Sequence, residues 1–302
     1  IVFEKARGVG GRMSTRYADP FYFDHGTQFF TARTKAFQNF IAPFIAKGVV
    51  AEWKGKVLTH QADNTIKDRP WFEPHYIAVP HMNSLSKQLS EGIDLRLNTE
   101  IAALTEKHAE GWHLFNKEGE SLGVFDWVIS TAPPVQTLNL FHTHLPSDSP
   151  LHHTQMLGCY TLMIGFHTPW LKPWMAAKVH ESPIEWISIN STRPGRHKEV
   201  TAIVVHSSNA WAQEHIDDDL DQTKAFLVKQ FETVTGIACN KSDYLSLHRW
   251  RYANVIENEK PEYHLDTQQK IAATGDWASA SRIEAVWLNA VSLANDIAKI
   301  IK

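Results

Sequence analysis

The chain has 302 residues, of which 30 are basic and 33 acidic, so its formal net charge is −3 with neutral histidines. This near-neutral balance excludes nucleic-acid binding driven by bulk charge. Hydrophobic residues make up 43% and charged residues 21%, which is typical of a folded chain with one large or two smaller cores. No apolar run could cross a bilayer or act as a signal peptide, so we expect no membrane partner. With only two cysteines, a reducing cytoplasm is the expected location.

Cysteine and histidine usage gives no sign of a metal or disulfide site. Cys159 and Cys239 are eighty residues apart, which excludes a disulfide framework and a CxxC motif. The 17 histidines do not recur with carboxylates at metal-ligand spacing. We therefore predict no bound metal.

The first half of the chain predicts a strand, two helices and a group of further strands. Residues 1–3 predict a buried strand that leads into a glycine-rich turn. Residues 33–47 carry apolar side chains at helical spacing, and residues 83–91 predict a second helix with Leu85 and Leu89 facing inward and Gly92 as its C-cap. The following strands are predicted at residues 93–97, 100–105, 112–115 and 125–130.

The second half predicts an α+β region with long antiparallel strands. Pro133-Pro134 breaks the pattern, and residues 142–153 are rich in Pro, Ser and His, so we expect a domain crossing there. Strands are predicted at 159–166, 184–189, 200–206 and 271–274, and helices at 217–234 and 282–301. The last helix has one apolar face, formed by Ile283, Val286, Trp287, Ala290, Val291, Ala294 and Ile297. A terminal strand that leads into a helix is typical of an α/β fold.

The first motif that could carry chemistry spans residues 2–12. Glu4 ends the predicted strand, where a carboxylate can accept hydrogen bonds from an adenosine ribose. Gly10 and Gly11 allow backbone amides to approach a pyrophosphate, and Arg12 can neutralise it. The alternative is a strand that ends in a surface turn with a solvated arginine.

The second motif is His25-Gly26-Thr27-Gln28, in which polar groups surround a glycine. Such a backbone can pass close to a planar ligand with hydrogen-bond donors facing it. The alternative is an irregular strand with its histidine in solvent.

The third motif begins with Thr274-Gly275-Asp276-Trp277 and continues into the terminal helix at residues 282–285. A strand, a Gly-Asp pair and a helix N-terminus place a carboxylate near a polyol and free N–H groups near an anionic oxygen. In a flavin this oxygen would be O2. The alternative is that Asp276 only caps the turn.

Together these motifs resemble the flavin-binding segments of the FAD-dependent amine oxidase superfamily, most closely its renalase-like branch. Residues 248–253 are similar to the late Arg-Trp-Arg-Tyr segment of that branch, and residues 129–134 to its crossover into the substrate domain. The resemblance implies an α/β fold: an FAD-binding Rossmann-like domain of the p-hydroxybenzoate hydroxylase/amine oxidase type, with a second, mainly antiparallel α+β substrate domain. It also implies FAD bound without a covalent link.

The resemblance further implies a division of the chain. The FAD domain would be discontinuous, from residues 1–46, 80–137 and 266–302, and residues 47–79 and 138–265 would form the substrate domain. The implied cofactor-binding residues are Glu4, Lys5, Arg7, Gly10, Gly11, Arg12, His25, Gly26, Thr27, Gln28, Asp276, Arg282, Glu284 and Ala285.

The implied chemistry is hydride transfer to flavin N5 from a small amine-like substrate or from an isomer of a reduced nicotinamide dinucleotide. Molecular oxygen would be the electron acceptor, with release of hydrogen peroxide. The pocket candidates are Gln28, Trp250, Tyr252 and Arg249, with Arg251 as a second partner for an anionic substrate and Trp277 as a further wall of the cavity. The alternatives are an amine oxidase or desaturase of the same superfamily, and a non-catalytic binding protein with the flavin fold.

The chain departs from this family at its start. The family opens with a strand and a GxGxxG turn before the acidic residue, and this sequence has neither ahead of Glu4. We expect the 302 residues to be a piece of a longer gene product, whose preceding helix would supply the dipole for the pyrophosphate.

Overall fold

The computed structural model describes residues 1–63, 65–256 and 263–301, and these form two compact units. Unit 1 comprises Ile1–Val9, Ser90–Met156 and Asn254–Lys302, and unit 2 comprises Gly10–Leu89 and Leu157–Ala253. The predicted domains also include residues 64, 257–262 and 302, which lie outside the described residues. Residues 10–46 and 80–89 belong to unit 2, whereas the predicted FAD domain includes them. That domain was defined by where the cofactor would bind, and in this sense it stays a prediction.

Helices and strands are numbered in chain order over the described residues. The helices are α1 (Lys35–Ala46), α2 (Asn83–Leu89), α3 (Pro134–Phe141), α4 (Asn209–Glu214), α5 (Leu220–Thr235) and α6 (Ile283–Ile301). The strands are β1 (Val2–Phe3), β2 (Thr15–Ala18), β3 (Phe21–Asp24), β4 (Val50–Glu52), β5 (Val57–His60), β6 (Ile66–Asp68), β7 (Tyr76–Ala78), β8 (Leu95–Arg96), β9 (Lys107–His108), β10 (Gly111–Phe115), β11 (Ser121–Phe125), β12 (Val128–Ser130), β13 (Met156–Phe166), β14 (Ala176–Val179), β15 (Ile184–Ile189), β16 (Thr201–Ser207), β17 (Tyr244–Val255), β18 (His264–Asp266) and β19 (Ile271–Ala273).

Unit 2 is built on a seven-stranded sheet in the order β17-β13-β16-β15-β14-β5-β6. Most neighbouring strands run antiparallel, whereas β14 and β5 are parallel. One face of this sheet packs against α5, whose Leu227 and Phe231 are buried in the main core. The hairpin β2–β3 covers a second cluster around Phe21, Phe23 and Met163. The glycine-rich turn directly precedes this hairpin and the His25 segment directly follows it, so both are held by the same packed element.

Unit 1 contains smaller sheets around a separate core. Strands β12 and β19 are parallel, and β18 pairs antiparallel with β19. The core includes Trp112, Phe141 and Trp277, all almost fully buried. Burial of these large side chains fixes the end of β19, from which the Gly275-Asp276 turn emerges.

Helices α1 and α5 confirm the sequence prediction because their end signals are local. Thr34 accepts a hydrogen bond from the Phe37 amide at the start of α1. Asp219 caps α5 through the amides of Asp221 and Gln222, and Gly236 ends it in the left-handed region at φ 68°.

Several sequence predictions of local structure are wrong. Helix α2 ends at Leu89, so Gly92 lies beyond it and is not its C-cap. Leu89, which was predicted to face inward, is 44% exposed. Residues 100–105 form only an isolated bridge, between Ile101 and Asn116. Pro134 begins α3 instead of breaking the pattern, since proline at a first helical position lacks only an amide that would be unpaired anyway. On α6, Ile297 is buried as predicted, whereas Val291 and Ala294 of the predicted face are exposed and Leu293, outside it, is buried.

Among the described helices, none combines the length and hydrophobicity that a bilayer crossing requires. In the same part of the chain, histidine, cysteine and acidic side chains nowhere gather in a group of three or more that could ligate a metal.

Candidate functional site

The glycine-rich turn of unit 2 has the backbone form that an anion-binding loop needs. Gly10 and Gly11 have φ values of 117° and 49°, in the region that favours glycine. The Met13 amide donates to the Gly10 carbonyl at 2.7 Å, which closes a short 3-10 turn. Arg12 Nη1 donates to the carbonyls of Tyr252 and Ala253 at 3.2 and 3.1 Å. The turn is thus anchored to the end of β17.

The glycine-rich turn and the His25 segment are in direct backbone contact. The Thr27 amide donates to the Arg12 carbonyl at 2.8 Å. A Cβ atom on Gly26 would lie 2.0 Å from that carbonyl oxygen, so only glycine fits there. Gly26 thus allows close approach to the Arg12 backbone, whereas its approach to a planar ligand remains a prediction. The structure brings two of the three sequence motifs together.

The Gln28 side chain holds the shape of this segment from inside. Its Nε2 donates to the carbonyls of Asp24 and Gly26 at 2.6 and 2.8 Å, and its Oε1 accepts from Arg193 at 2.9 Å. Gln28 is 8% exposed. Both ends of the amide are therefore engaged within unit 2, which favours a positioning role over direct contact with a substrate.

A buried charge cluster underlies the His25 segment and was not anticipated from the sequence. The Asp24 carboxylate accepts from Arg193 at 2.7 Å and from Arg196, and all three side chains are at most 2% exposed. Its other oxygen accepts from Thr15 Oγ1 at 2.6 Å and the Met82 amide at 3.0 Å. Arg193 also lies 4.7 Å from the ring centroid of Trp53.

Opposing effects set the ionisation of this cluster. Burial alone would raise the pKa of Asp24, but Arg196 and Arg193 outweigh it and hold the pKa below its usual value. Burial lowers the pKa of Arg193 to about 10, which still leaves the guanidinium charged at neutral pH. Two arginines against one carboxylate leave one excess positive charge in the interior.

His25 is fixed through both its backbone and its ring. Its carbonyl accepts hydrogen bonds from Thr161 Oγ1 at 2.9 Å and Trp250 Nε1 at 3.0 Å, and lies 3.2 Å from His206 Nε2. The imidazole stacks on Trp250 with ring centroids 5.1 Å apart and meets His248 edge-on at 5.0 Å. These contacts correct the alternative of a histidine in solvent, since His25 is only 5% exposed.

The remaining pocket candidates lie on β17 and differ in their surroundings. Trp250 and Tyr252 are half-buried, and Trp250 forms one wall of the His25 cluster. Arg249 donates to the Ile216 carbonyl at 2.9 Å, and Arg251 pairs with Asp217 at 2.7 Å. Both arginines therefore contact the segment that connects α4 to α5.

In unit 1, Glu4 follows β1, where the chain runs parallel to β8. Its Oε1 accepts from the Ala6 amide at 2.7 Å, and its own amide donates to the Arg96 carbonyl at 2.9 Å. Lys5 and Arg7 are exposed. Val2 is 46% exposed, so the prediction of a buried first strand is wrong: among the described residues β1 pairs only with β8.

The third motif forms a buried turn between β19 and α6. The Thr274 amide donates to the Ser130 carbonyl at 3.0 Å, which extends the parallel ladder, and Asp276 is 6% exposed. Ser281 Oγ donates to Asp276 Oδ2 at 3.2 Å. Trp277 is 1% exposed and donates to the Ala132 carbonyl, so it is a core residue and not a cavity wall.

The start of α6 follows this turn. Glu284 is buried and Ala285 half-buried in the first helical turn, while Arg282 is exposed just before it. Backbone amides in a first turn have no partner within the helix and carry the positive end of its dipole. The turn and the helix start thus supply a carboxylate and N–H donors within ten residues of one another.

A separate aromatic hollow of about 390 Å³ opens on unit 2, away from the residues that the sequence motifs predicted. It is lined by Trp53, Trp71 and Phe72, with Glu52 and Glu73 among its polar groups. Trp71 stacks on His75 at 3.7 Å. Sequence reasoning missed it because these side chains belong to loops with no recognisable motif.

Four histidines of unit 2 make stability depend on pH. The pKa values of His25, His81, His206 and His248 are each lowered to about 4, with burial as the largest cause. An unfolded chain protonates histidine near its ordinary pKa of about 6.5. Between these values the unfolded chain binds more protons, so the free energy of unfolding should fall as the pH falls.

Urea unfolding at a series of pH values checks this expectation. The midpoint should drop steadily from about pH 7 to about pH 4.5. His248→Gln should flatten that dependence, because it removes one of the neutral histidines. A midpoint that stays constant across this window would contradict neutral burial of these rings.

Comparison with known proteins defines the class of fold. No protein-family model matches the chain. A structure from Exiguobacterium sp. 255-15, provisionally described as a protoporphyrinogen oxidase, superposes with a TM-score of 0.78 at 11% identity, over 98% of this chain and 92% of that one. Cyclohexylamine oxidase from Brevibacterium oxydans IH-35A gives 0.71 at 12% identity, over 98% and 93%. Putrescine oxidase bound to putrescine gives 0.70 at 10% identity, over 99% and 93%.

These similarities establish an amine-oxidase-type fold. They confirm the predicted fold class, a mixed α/β architecture with a large, mainly antiparallel sheet. Because a shared fold at such low identity does not fix the chemistry, activity has to be argued from the site residues.

Proposed function

We propose that this protein is an FAD-dependent oxidoreductase, with renalase-like oxidation of a reduced nicotinamide dinucleotide isomer as its favoured reaction. The observation that carries the proposal is the direct contact between the glycine-rich turn and the His25 segment, where Gly26 meets the Arg12 carbonyl. Both segments belong to the motifs that resemble flavin-binding segments, and the fold is of the amine-oxidase type.

Donor groups of this chain suit separate parts of an FAD molecule. Two consecutive glycines with positive φ and the neighbouring Arg12 suit a diphosphate. The Glu4 carboxylate suits the adenosine ribose. Asp276, buried after Gly275, suits the polyol side, and the first-turn amides of Glu284 and Ala285 suit the pyrimidine edge of the ring.

Bound FAD would supply the hydride acceptor, with molecular oxygen as the final electron acceptor and hydrogen peroxide as a product. The residues of this chain would bind the cofactor, orient the substrate beside it and enclose the reacting groups. His25, Gly26 and Thr27 would lie beside the isoalloxazine, held in place by Gln28. Neutral His25 and half-buried Trp250 would form a wall that excludes water from the reacting groups. The proposed location is the cytoplasm, and the proposed FAD link is non-covalent.

A second candidate is an amine oxidase or desaturase with the same cofactor. Two of the similar structures are a putrescine oxidase and a cyclohexylamine oxidase, which favours it. The two candidates differ in whether reduced nicotinamides or primary amines are oxidised.

Replacement of Asp276 tests the proposed cofactor site. Asp276→Ala should weaken flavin binding at least tenfold and so lower the flavin content of the purified protein, because a buried hydrogen-bonding carboxylate is removed. Flavin released by denaturation is measured against protein concentration.

Asp126→Ala is the matched control, since Asp126 is an exposed aspartate of the same unit with a side chain 83% exposed. It should keep its flavin. Equal flavin content in both variants and the parent would contradict the proposed role of Asp276. A colourless parent protein would contradict flavin dependence itself and favour the non-catalytic alternative.

A further inference from the structure

Arg16, on strand β2, is a cation whose partner is missing among the described residues. Its side chain is half-buried, and in that part of the chain it makes neither a hydrogen bond nor an ion pair. The two fully buried arginines of the same unit, Arg193 and Arg196, both contact Asp24. A half-buried guanidinium without a carboxylate is suited to bind an anion from solution, because its planar donors match carboxylate and phosphate oxygens.

The strand register shows which way Arg16 faces. Arg16 is directly opposite Phe23 in the β2–β3 hairpin, so the two side chains share one face. Phe23 stacks on Tyr244 of β17 with ring centroids 5.1 Å apart. His248 and Trp250 lie an even number of residues further along β17 and therefore on the same side as Tyr244. Arg16 thus faces the side of β17 that carries the His25 cluster.

The His25 cluster supplies a second, independent sign of a ligand. His25 Nδ1 is buried and has no hydrogen-bond partner of normal geometry among the described residues, although burial, which lowers the pKa of the ring, is partly offset by a weaker contact with the Phe23 backbone. Its Nε2 lies 3.4 Å from Ser14 Oγ. When Ser14 donates to Nε2, the proton resides on Nδ1, which is then a buried donor that needs an acceptor.

The rings around His25 form an aromatic wall with no negative charge. His248 meets Trp250 edge-on at 4.3 Å and His25 at 5.0 Å. Burial is the main reason that the pKa values of His25 and His248 fall to about 4, and Arg16 lowers both further. These rings are therefore neutral at physiological pH, and the charge of Arg16 is not offset by them.

We propose that Arg16, His25, His248 and Trp250 form a subsite for an anionic group of the substrate, a carboxylate or a phosphate. Arg16 supplies the charge, His25 Nδ1 a directed hydrogen bond, and Trp250 with His248 an apolar wall. The identification of the ligand as the substrate rests on the proposed function, whereas anion binding by these residues does not. The subsite differs from Arg249 and Arg251, which already contact Ile216 and Asp217.

Calorimetric titration with inorganic phosphate, acetate and nicotinate tests the subsite. The parent protein should bind at least one of these probes with a stoichiometry of one per chain. Arg16→Met should weaken that binding at least tenfold. Arg16→Lys should bind more tightly than Arg16→Met but less tightly than the parent, because lysine keeps the charge and lacks the planar guanidinium group. Stronger binding of phosphate indicates a phosphoryl group, whereas stronger binding of nicotinate indicates a carboxylate on an aromatic ring.

Arg69→Met is the control, because Arg69 is an exposed arginine just beyond β6, at the opposite edge of the sheet from β17. It should bind the probes as the parent does. Imidazole NMR signals locate the anion: those of His25 and His248 should shift on binding. The subsite is refuted by parent-like affinity in a folded Arg16→Met protein, or by the absence of saturable binding in the parent. Flavin content, measured on the same samples, shows separately whether the proposed cofactor is present.

Discussion

Asp24→Asn should lower the free energy of unfolding by about 3–5 kcal/mol, the largest effect we expect from a single isosteric substitution. The carboxylate is fully buried and is the shared acceptor of Arg193 and Arg196. Its loss leaves two buried guanidinium groups without a negative partner, and the Thr15 hydroxyl and Met82 amide lose a charged acceptor. Urea unfolding at neutral pH measures the change.

Arg193→Met provides the comparison within the same cluster. It should cost less, about 1–3 kcal/mol, because Asp24 keeps Arg196 and the interior loses its excess positive charge. The remaining cost comes from Gln28 and Ser188, which accept from Arg193 at 2.9 and 3.2 Å. If Asp24→Asn proves no more destabilising than Arg193→Met, the carboxylate is not the centre of this cluster.

Gly26→Ala should lower the free energy of unfolding by about 1–3 kcal/mol and also reduce flavin binding. The added Cβ would be 2.0 Å from the Arg12 carbonyl oxygen and 2.9 Å from its carbonyl carbon. Both are backbone atoms, so no side chain can move aside. The glycine-rich turn and the His25 segment must therefore separate, with loss of the hydrogen bond from Thr27 to Arg12.

Gly8→Ala is the matched control for this substitution. A Cβ on Gly8 would have no heavy atom within 4 Å, and its φ is not positive. Its stability should stay within about 0.5 kcal/mol of the parent. A Gly26→Ala protein with parent-like stability and flavin content would contradict the close contact of the two segments.

The sequence predicted the parts of the fold that depend on local signals. Helix α5 is marked at its start by Asp219 and at its end by Gly236, and both act within one helical turn. Strand β15 matches its prediction residue for residue because its apolar run is short and bounded by turns. Where packing between distant segments decides, as on α6, apolar spacing alone placed the buried face only in part: Ile297 is buried as predicted, but Val291 and Ala294 are exposed and the buried Leu293 was missed.

The candidate site shows the same division between local and long-range information. Gly10, Gly11 and Gly26 could be selected because a glycine at a turn has a recognisable neighbourhood. Arg193 and Arg196 could not, because they contact Asp24 across about 170 residues of sequence, with separations of 169 and 172. The sequence offered only an Arg-Pro-Gly-Arg loop there, which is equally typical of an exposed turn.

Gln28 and Trp277 show why the residue type alone does not decide a role. A glutamine in a flavin-like motif suggested a pocket residue, yet its amide is fully engaged with Asp24, Gly26 and Arg193. Trp277 belongs to the core of unit 1, because the turn after β19 directs its ring inward. The hydrogen bonds and burial that distinguish these roles arise only when the chain is folded.

Peroxide formation by the purified, flavin-containing protein tests the central claim most directly. The protein is mixed in air with isomers of reduced nicotinamide dinucleotide and, in parallel, with primary amines such as putrescine and cyclohexylamine. We predict that the nicotinamide isomers are oxidised with one hydrogen peroxide released per substrate, and that activity follows flavin content across the Asp276→Ala and Asp126→Ala proteins. Peroxide from the amines alone would transfer the assignment to an amine oxidase, and no turnover of either class by flavin-loaded protein would contradict the proposed oxidoreductase.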